Sequence, residues 1–371
     1  MGKAIPITRL YLLFYVNLML MKPSLFFKKK MSFSHPALQF IPKIAFFILL
    51  IVRCTQAFFK CRYPSPHLED IAHVYLQVIE SMITYWKTNP YTLLIDPYTI
   101  THQQQILTFA GFKYPPLQLF IYAPWVRCFD MHGLLMANFF CYLTIMVVIM
   151  LIIKKRFSTP WMTYLGGLCF LSTDFLFTLC VNKGINDFYP TLFLLLFTIF
   201  LQHKKTLRST FFLPLLLACS LLSKQLPAGI ILFSVIIQRQ WTLVFTTIVI
   251  CFLFLFPYFL SSPSATWDHL VYFHLIRPSR ETSWTMFLPS FYASIIQILG
   301  IGLIMVLHLK NVQDRFLILR KTPWALPFFS LSFFLLTSKM APAHYFVWVF
   351  PFFLLLLFDL CFHPDFKQIR I

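Results

Sequence analysis

The chain has 371 residues, of which 59% are hydrophobic, 46 are Phe and only 12% are charged, with a mean hydropathy of +0.74. Soluble domains hold about 45–50% apolar and 25% charged residues, so a water-soluble fold is excluded and an all-α, polytopic membrane helix bundle is expected. The formal charge of +19 is spread in short clusters between apolar runs, a pattern that orients a protein in a membrane and meets anionic lipid rather than nucleic acid.

Lys3 and Arg9 precede an apolar run, 10–21, that is short for a crossing and lacks a small-residue cleavage site. It reads as an interfacial or additional helix, with Met31 as a second candidate start. The cluster Lys28, Lys29 and Lys30 then precedes the first full apolar run, 40–59, so the N-terminal side is expected in the cytoplasm and the loop 60–113 outside. The domains follow: a cytoplasmic or interfacial segment 1–39, one transmembrane domain 40–362 and a cytoplasmic tail 363–371.

The outer loop begins with Ser65 as a helix cap and Pro66 at the first helical position. The helix expected from there to about Trp86 has Ile71, Val74, Val78, Met82 and Tyr85 on one face, and Asp70, His73, Gln77, Glu80 and Thr84 on another. Such a helix would lie on the membrane surface with its apolar face down. Asn89-Pro90-Tyr91 ends it, because proline disfavours the helical region for the residue before it.

Residues 115–129 are apolar, and 134–153 form a clear crossing that ends at Lys154, Lys155 and Arg156. Two crossings here would put that basic cluster outside, so 115–129 reads as re-entrant or interfacial. Further crossings are expected at 161–181, 188–202, three within 210–260, then 284–308, 324–337 and 346–362. That makes about ten, with both ends cytoplasmic. Glu69, Asp70, Glu80, Asp96, Asp187, Asp268 and Glu281 all fall outside, whereas the inner loops are short and basic. Asp174 is the one acid expected near mid-membrane, and no internal repeat of fixed period marks a transporter.

The nine Cys lie mostly in apolar runs without CxxC or metal-ligand spacing, so they read as small core residues, with Cys61 and Cys128 both outside as a candidate pair. Neither a metal nor another cofactor is indicated: Glu69 and Asp70 are adjacent oxygen donors with no second cluster to complete a site. No Walker loop or GxGxxG occurs, which disfavours a nucleotide-sugar donor.

Asp70-Ile71 with Val74-Tyr75, then Asn89-Pro90-Tyr91, then Tyr114-Pro115-Pro116-Leu117 resembles the progression found in polytopic glycosyltransferases of the C-type superfamily, in particular the polyprenyl-phosphate-mannose-dependent mannosyltransferases. Gly184-Ile185-Asn186-Asp187, Lys224-Gln225-Leu226-Pro227, and Lys339 with His344-Tyr345, Trp348 and Pro351 continue the likeness over most of 40–362. One departure is that Asp70 stands five residues before Tyr75 where about four are expected, which keeps Glu69 as a competing carboxylate. The resemblance implies transfer of a hexose, mannose first, with inversion, from a polyprenyl-phosphate donor to the hydroxyl of a glycan or glycolipid acceptor on the outer side of a bacterial inner membrane or of the endoplasmic reticulum.

That reaction needs a carboxylate base and cations for the departing lipid phosphate. Asp70 is the expected base; complementing the positive end of a helix is its other reading. Arg277 and Arg280 are expected to bind phosphate bidentately, or else to meet lipid headgroups from an interfacial loop. Lys224 and Lys339 stand at outer ends of apolar runs, where a charge at depth costs about 2.5–3.5 kcal/mol, so donor binding competes with snorkelling to the interface. His344 is assigned to donor binding, and His73, Asn186 and Asp187 to orienting sugar or acceptor, against purely structural roles for each.

Overall fold

The computed structural model describes residues 36–63, 70–84, 89–93, 95–102, 105–109, 112–202, 207–276, 290–338 and 343–362. The segment 10–21, the candidate cap Ser65 with Pro66, and the tail 363–371 lie outside them. Apolar runs that meet no water must satisfy their backbone internally, and those described here are helical. They are α1 (Pro36–Arg62), α2 (Asp70–Thr84), α3 (Leu117–Arg156), α4 (Pro160–Leu171), α5 (Asp174–Phe177), α6 (Phe188–Leu201), α7 (Leu207–Ser223), α8 (Gln225–Ile237) and α9 (Trp241–Ser261). The short α10 (Pro263–Trp267) and α11 (Phe273–Ile276) precede α12 (Ser290–His308), α13 (Lys310–Arg315), α14 (Leu317–Lys321), α15 (Ala325–Thr337) and α16 (Phe346–Phe362).

Three of these stretches are long and apolar enough to cross a bilayer, namely Phe40–Arg62, Leu117–Arg156 and Trp241–Ser261. A fourth forms if α4 and the helical stretch Asp174–Asn182 count as one crossing bent by 59°. The other apolar helices are shorter; a helix of 13 residues such as α8 spans about 20 Å, less than the roughly 30 Å of hydrocarbon. Hydropathy and charge alone therefore suggest more crossings than there are helices of full crossing length. The run 161–181, expected as one crossing, breaks because the hydroxyls of Ser172 and Thr173 both donate to Cys169 O at 3.0 Å, competing with the helical backbone.

The described architecture is mostly helical, as expected, with one small sheet added. Strands β1 (Tyr98–His102) and β2 (Gln105–Phe109) pair antiparallel, with Tyr98 opposite Phe109 and Ile100 opposite Leu107. Ile100 and Phe109 are buried against Phe273 of α11, so the stretch between α2 and α3 holds a hairpin with its own small apolar contact. All nine cysteines are free; Cys61 is buried and Cys128 exposed, and the candidate pair is not formed.

α3 is a hairpin. At Asp130 the backbone leaves the helical region (φ 49°, ψ −134°) and the chain reverses, so that Tyr122 donates to Asn138 Oδ1 at 2.6 Å and Trp125 packs on Phe140 at 5.1 Å. A straight helix would hold residues 122 and 138 about 24 Å apart. The segment expected as re-entrant or interfacial is this folded-back first limb. Gly133 permits the reversal, since a Cβ there would stand 2.0 Å from the carbonyl oxygen of Trp125. Gly133→Ala is expected to cost about 1–3 kcal/mol or more, seen as a lowered thermal midpoint in nanodiscs, because a backbone atom cannot rotate away.

α2 starts at Asp70 and buries Ala72, Val74, Tyr75, Val78 and Ile79, while His73, Gln77 and Glu80 are exposed. Of the expected faces, Val74 and Val78 are buried and His73, Gln77 and Glu80 exposed as the spacing predicts, while the side chains of Asp70, Ile71, Thr84 and Tyr85 lie outside the described ones. Its partner, however, is protein: the buried face meets Leu119, Tyr122 and Val126 of the first α3 limb, so the helix is not simply laid on lipid. A larger core lies beyond it, built from α1, the second α3 limb, α4, α6, α7, α8, α15 and α16.

Candidate functional site

Four residues singled out by sequence meet where these two cores join. Gly184 adopts φ 64°, a left-handed turn that glycine takes without a Cβ penalty, and it precedes Asn186 and Asp187 at the start of α6. The Asp187 carboxylate does not cap that helix. It instead accepts from Lys224 Nζ and from Trp348 Nε1 on the same oxygen, Oδ1, each at 2.6 Å. Lys224 stands in the break between α7 and α8 in an extended conformation (φ −160°, ψ 122°). That break lets its side chain turn inward.

The pair is fully enclosed, with Asp187 at 0% and Lys224 at 1% exposure, which overturns the snorkelling reading of Lys224. Three rings surround the ammonium, Tyr345 at 4.9 Å, Tyr114 at 5.1 Å and Trp348 at 5.5 Å, a cation–π setting. Burial alone would lower its pKa, but the Asp187 carboxylate outweighs that effect and raises it to about 12. The lysine is charged, and its charge is matched by Asp187 rather than left open.

A closed polar triangle supports the pair. Tyr75 of α2 donates to Gln118 Oε1 at 2.8 Å, Gln118 Nε2 donates to Asn186 O at 2.6 Å, and Asn186 Nδ2 donates to the Tyr75 hydroxyl at 2.9 Å. Burial pushes the Tyr75 phenol well above its ordinary pKa, so it stays a donor. Asn186 Oδ1 also lies 3.4 Å from Lys224 Nζ. On the other side, Asp187 Oδ2 accepts no hydrogen bond among the described residues and faces His344 Nε2 at 3.7 Å. The His344 side chain is 21% exposed and, like the half-buried Tyr114, reaches toward the surface.

The Asn89-Pro90-Tyr91 piece belongs to the same assembly. Asn89 Oδ1 accepts from Tyr91 N at 3.0 Å and Asn89 Nδ2 donates to Ser261 Oγ at 2.9 Å, while the Tyr91 hydroxyl donates to Tyr114 O at 2.9 Å. His269 stacks on Tyr91 with centroids 6.0 Å apart. Burial lowers its pKa, so it is neutral at pH 7. α11 is tied in by His274 Nε2 against Lys113 O at 3.0 Å, beside Tyr114.

His73 is exposed on the outer face of α2 and is not part of the cluster. Asp70 opens α2, while Glu69, Arg277, Arg280 and Lys339 lie outside the described residues. Gln118 was missed by sequence reasoning, although a lone amide in the apolar run 115–129 is the kind of residue that needs a buried partner. Among the described residues, no three His, Cys, Asp or Glu side chains are placed to share a metal ion. No protein-family profile, curated protein or solved structure matches the chain.

Proposed function

We propose that this protein is a membrane glycosyltransferase that moves a hexose, mannose in the first instance, from a polyprenyl-phosphate donor to an acceptor hydroxyl on the outer side of the membrane. One observation carries the reading. The separate pieces of the family-like progression, Tyr75, Asn89–Tyr91, Tyr114, Asn186-Asp187, Lys224, and His344 through Trp348, are up to about 270 residues apart in sequence yet touch one another in a single buried network. Unrelated apolar loops would have no reason to converge there.

In this reading Asp70, with Glu69 as its competitor, removes the acceptor proton. Arg277 and Arg280 meet the departing phosphate, with Lys339 and His344 as further donors. The Asp187–Lys224 pair holds the floor of the site, and Asn186 ties it to α2. An apolar groove of about 200 Å³ is lined by Gln225, Gly229, Phe233, Ile301 and Met305 among others; its lining suits a prenyl chain. The proposal includes about ten crossings with both ends in the cytoplasm of a bacterial inner membrane, or on the cytosolic side of an endoplasmic reticulum.

Membranes carrying the protein, supplied with polyprenyl-phosphate mannose, glucose or arabinose labelled in the sugar, are expected to transfer label from one of the three to a lipid or glycan acceptor. Absence of transfer from every donor, together with protein-dependent passage of a lipid-linked sugar or small polar solute across sealed vesicles, would replace the enzyme by a transporter.

A further inference from the structure

A second cleft lies between the C-terminal end of α1 and the bend of α3. It encloses about 480 Å³, a size usual for ligand clefts, and Cys54, Phe58, Phe139 and Phe140 belong to its apolar walls. Arg62, Asp130 and His132 line it too, and the packing gathers these three at one end. His132 Nδ1 meets the carbonyl oxygen of Cys61, while Phe46 and Met150 both close on Gly167, so α1 and the second limb of α3 run antiparallel. From Arg62 the wall descends to Cys54, about 12 Å by helical rise, and from Asp130 to Phe140 in the same direction. α1 is long and apolar enough to cross a bilayer and ends in Lys60 and Arg62. The polar end of the cleft therefore stands at the level of lipid headgroups, and its apolar walls beside the acyl chains.

Two opposite charges share this mouth without using each other. Arg53, deeper in α1, is paired, its Nη1 donating to Asp174 Oδ1 at 3.0 Å. Arg62 instead lies over the ring of its neighbour Tyr63 at 5.7 Å. Among the described residues, neither the Arg62 nor the Asp130 side chain makes a hydrogen bond or an ion pair. Asp130 is also costly where it stands: φ 49°, ψ −134° is backbone that glycine takes readily and other residues seldom do. The chain keeps a carboxylate where glycine would be easier. A guanidinium binds phosphate oxygens, and a carboxylate accepts from a primary ammonium. Phosphoethanolamine carries both groups on one short linker, and the acyl chains attached to it match the walls. Lys60 and Arg127, exposed and outside the lining, add only positive charge, so an anionic headgroup without an ammonium would leave Asp130 unmatched.

We propose that this cleft is a seat for one phospholipid with an ethanolamine headgroup, its phosphate on Arg62, its ammonium on Asp130 and one acyl chain along Phe58, Phe139 and Phe140. Clefts between membrane helices that carry basic residues at the surface hold headgroups in this way. None of the lining residues belongs to the Asp187–Lys224 network, so the seat is independent of the transfer reaction. The full chain in detergent micelles would be titrated with dioctanoyl phosphatidylethanolamine, phosphatidylcholine and phosphatidylglycerol, and bound lipid counted by native mass spectrometry. One phosphatidylethanolamine is expected to bind about tenfold tighter or more than either other lipid, the worth of a charge-assisted hydrogen bond, because choline nitrogen carries no N–H and glycerol no cation. Asp130→Gly relaxes the backbone and Asp130→Asn keeps the side chain's shape; both are expected to erase the preference, with the thermal midpoint of Asp130→Gly not lowered. Arg62→Gln is expected to weaken all three lipids alike. Equal binding of the three, a preference for phosphatidylglycerol, a preference that persists in Asp130→Gly, or undiminished binding by Arg62→Gln would overturn the proposal.

Discussion

Lys224→Met is expected to destabilise the protein by about 3–5 kcal/mol, the range for leaving one member of a buried ion pair behind. Asp187 would then be enclosed with Trp348 Nε1 as its remaining hydrogen-bond donor, since His344 is 3.7 Å away. Asp187→Leu should cost a similar amount, for then the ammonium is left among three rings. The double variant Lys224→Met/Asp187→Leu is expected to recover much of the loss, because apolar replacement of a buried pair is often neutral. Thermal midpoints of the four proteins in nanodiscs give the coupling directly; additive losses would show that the two charges do not depend on one another. The sign with pH is also set. The folded pKa of Lys224 is raised from 10.5 to about 12, so its contribution is complete below about pH 10.5 and is lost as pH rises through 12.

Where a feature depends on local spacing it was readable from the chain. The faces of α2 are an example: His73, Gln77 and Glu80 recur at helical steps and all three are exposed. The limb before Asp130 folds back on the next; the sequence reads it as other than a separate crossing from the basic cluster Lys154, Lys155 and Arg156, which does not by itself state a reversal. Pairings were not. Nothing in the sequence near Asn186-Asp187 or Lys224 says that the two charges meet, and each alone is explained equally well by a solvated turn or a snorkelling side chain. The same holds for Arg53 and Asp174, 121 residues apart. The hairpin was obscured for a different reason. Tyr98-Thr99-Ile100-Thr101-His102 is β-branched and alternating, yet no Gly or Asn stands between it and Gln105 to signal a tight turn, and a sequence dominated by helical apolar runs favoured reading it as loop. The chemistry proposed for the loop 60–113 rests in the sequence on composition: carboxylates are concentrated there and sparse in the basic loops, which suggests a site without stating which oxygen acts.

If the protein is the glycosyltransferase proposed above, Asp70→Asn is expected to lower sugar transfer by about 10²–10⁴-fold, the usual contribution of a positioned general base, with Glu69→Gln losing less than tenfold. The loss should appear in kcat at saturating donor, with KM for the lipid-linked sugar little changed, because the base acts on the acceptor proton in the transition state and not on donor binding. The argument for Asp70 is positional. It is the first residue of α2, whose Tyr75 is locked between Asn186 and Gln118, and five residues of helix place its backbone about 7.5 Å along the axis from that anchor. Tyr75→Phe tests the anchor separately. It removes the hydroxyl shared by Asn186 and Gln118 but keeps the ring, so it should reduce kcat less than Asp70→Asn while leaving the donor KM intact. If Glu69→Gln is instead the variant that falls by two orders of magnitude or more, the base is Glu69 and the five-residue spacing to Tyr75 is the feature that misassigned it. Full activity in both single variants would remove this end of α2 from the chemistry and leave the enclosed Asp187, with its oxygen turned toward His344, as the carboxylate to examine.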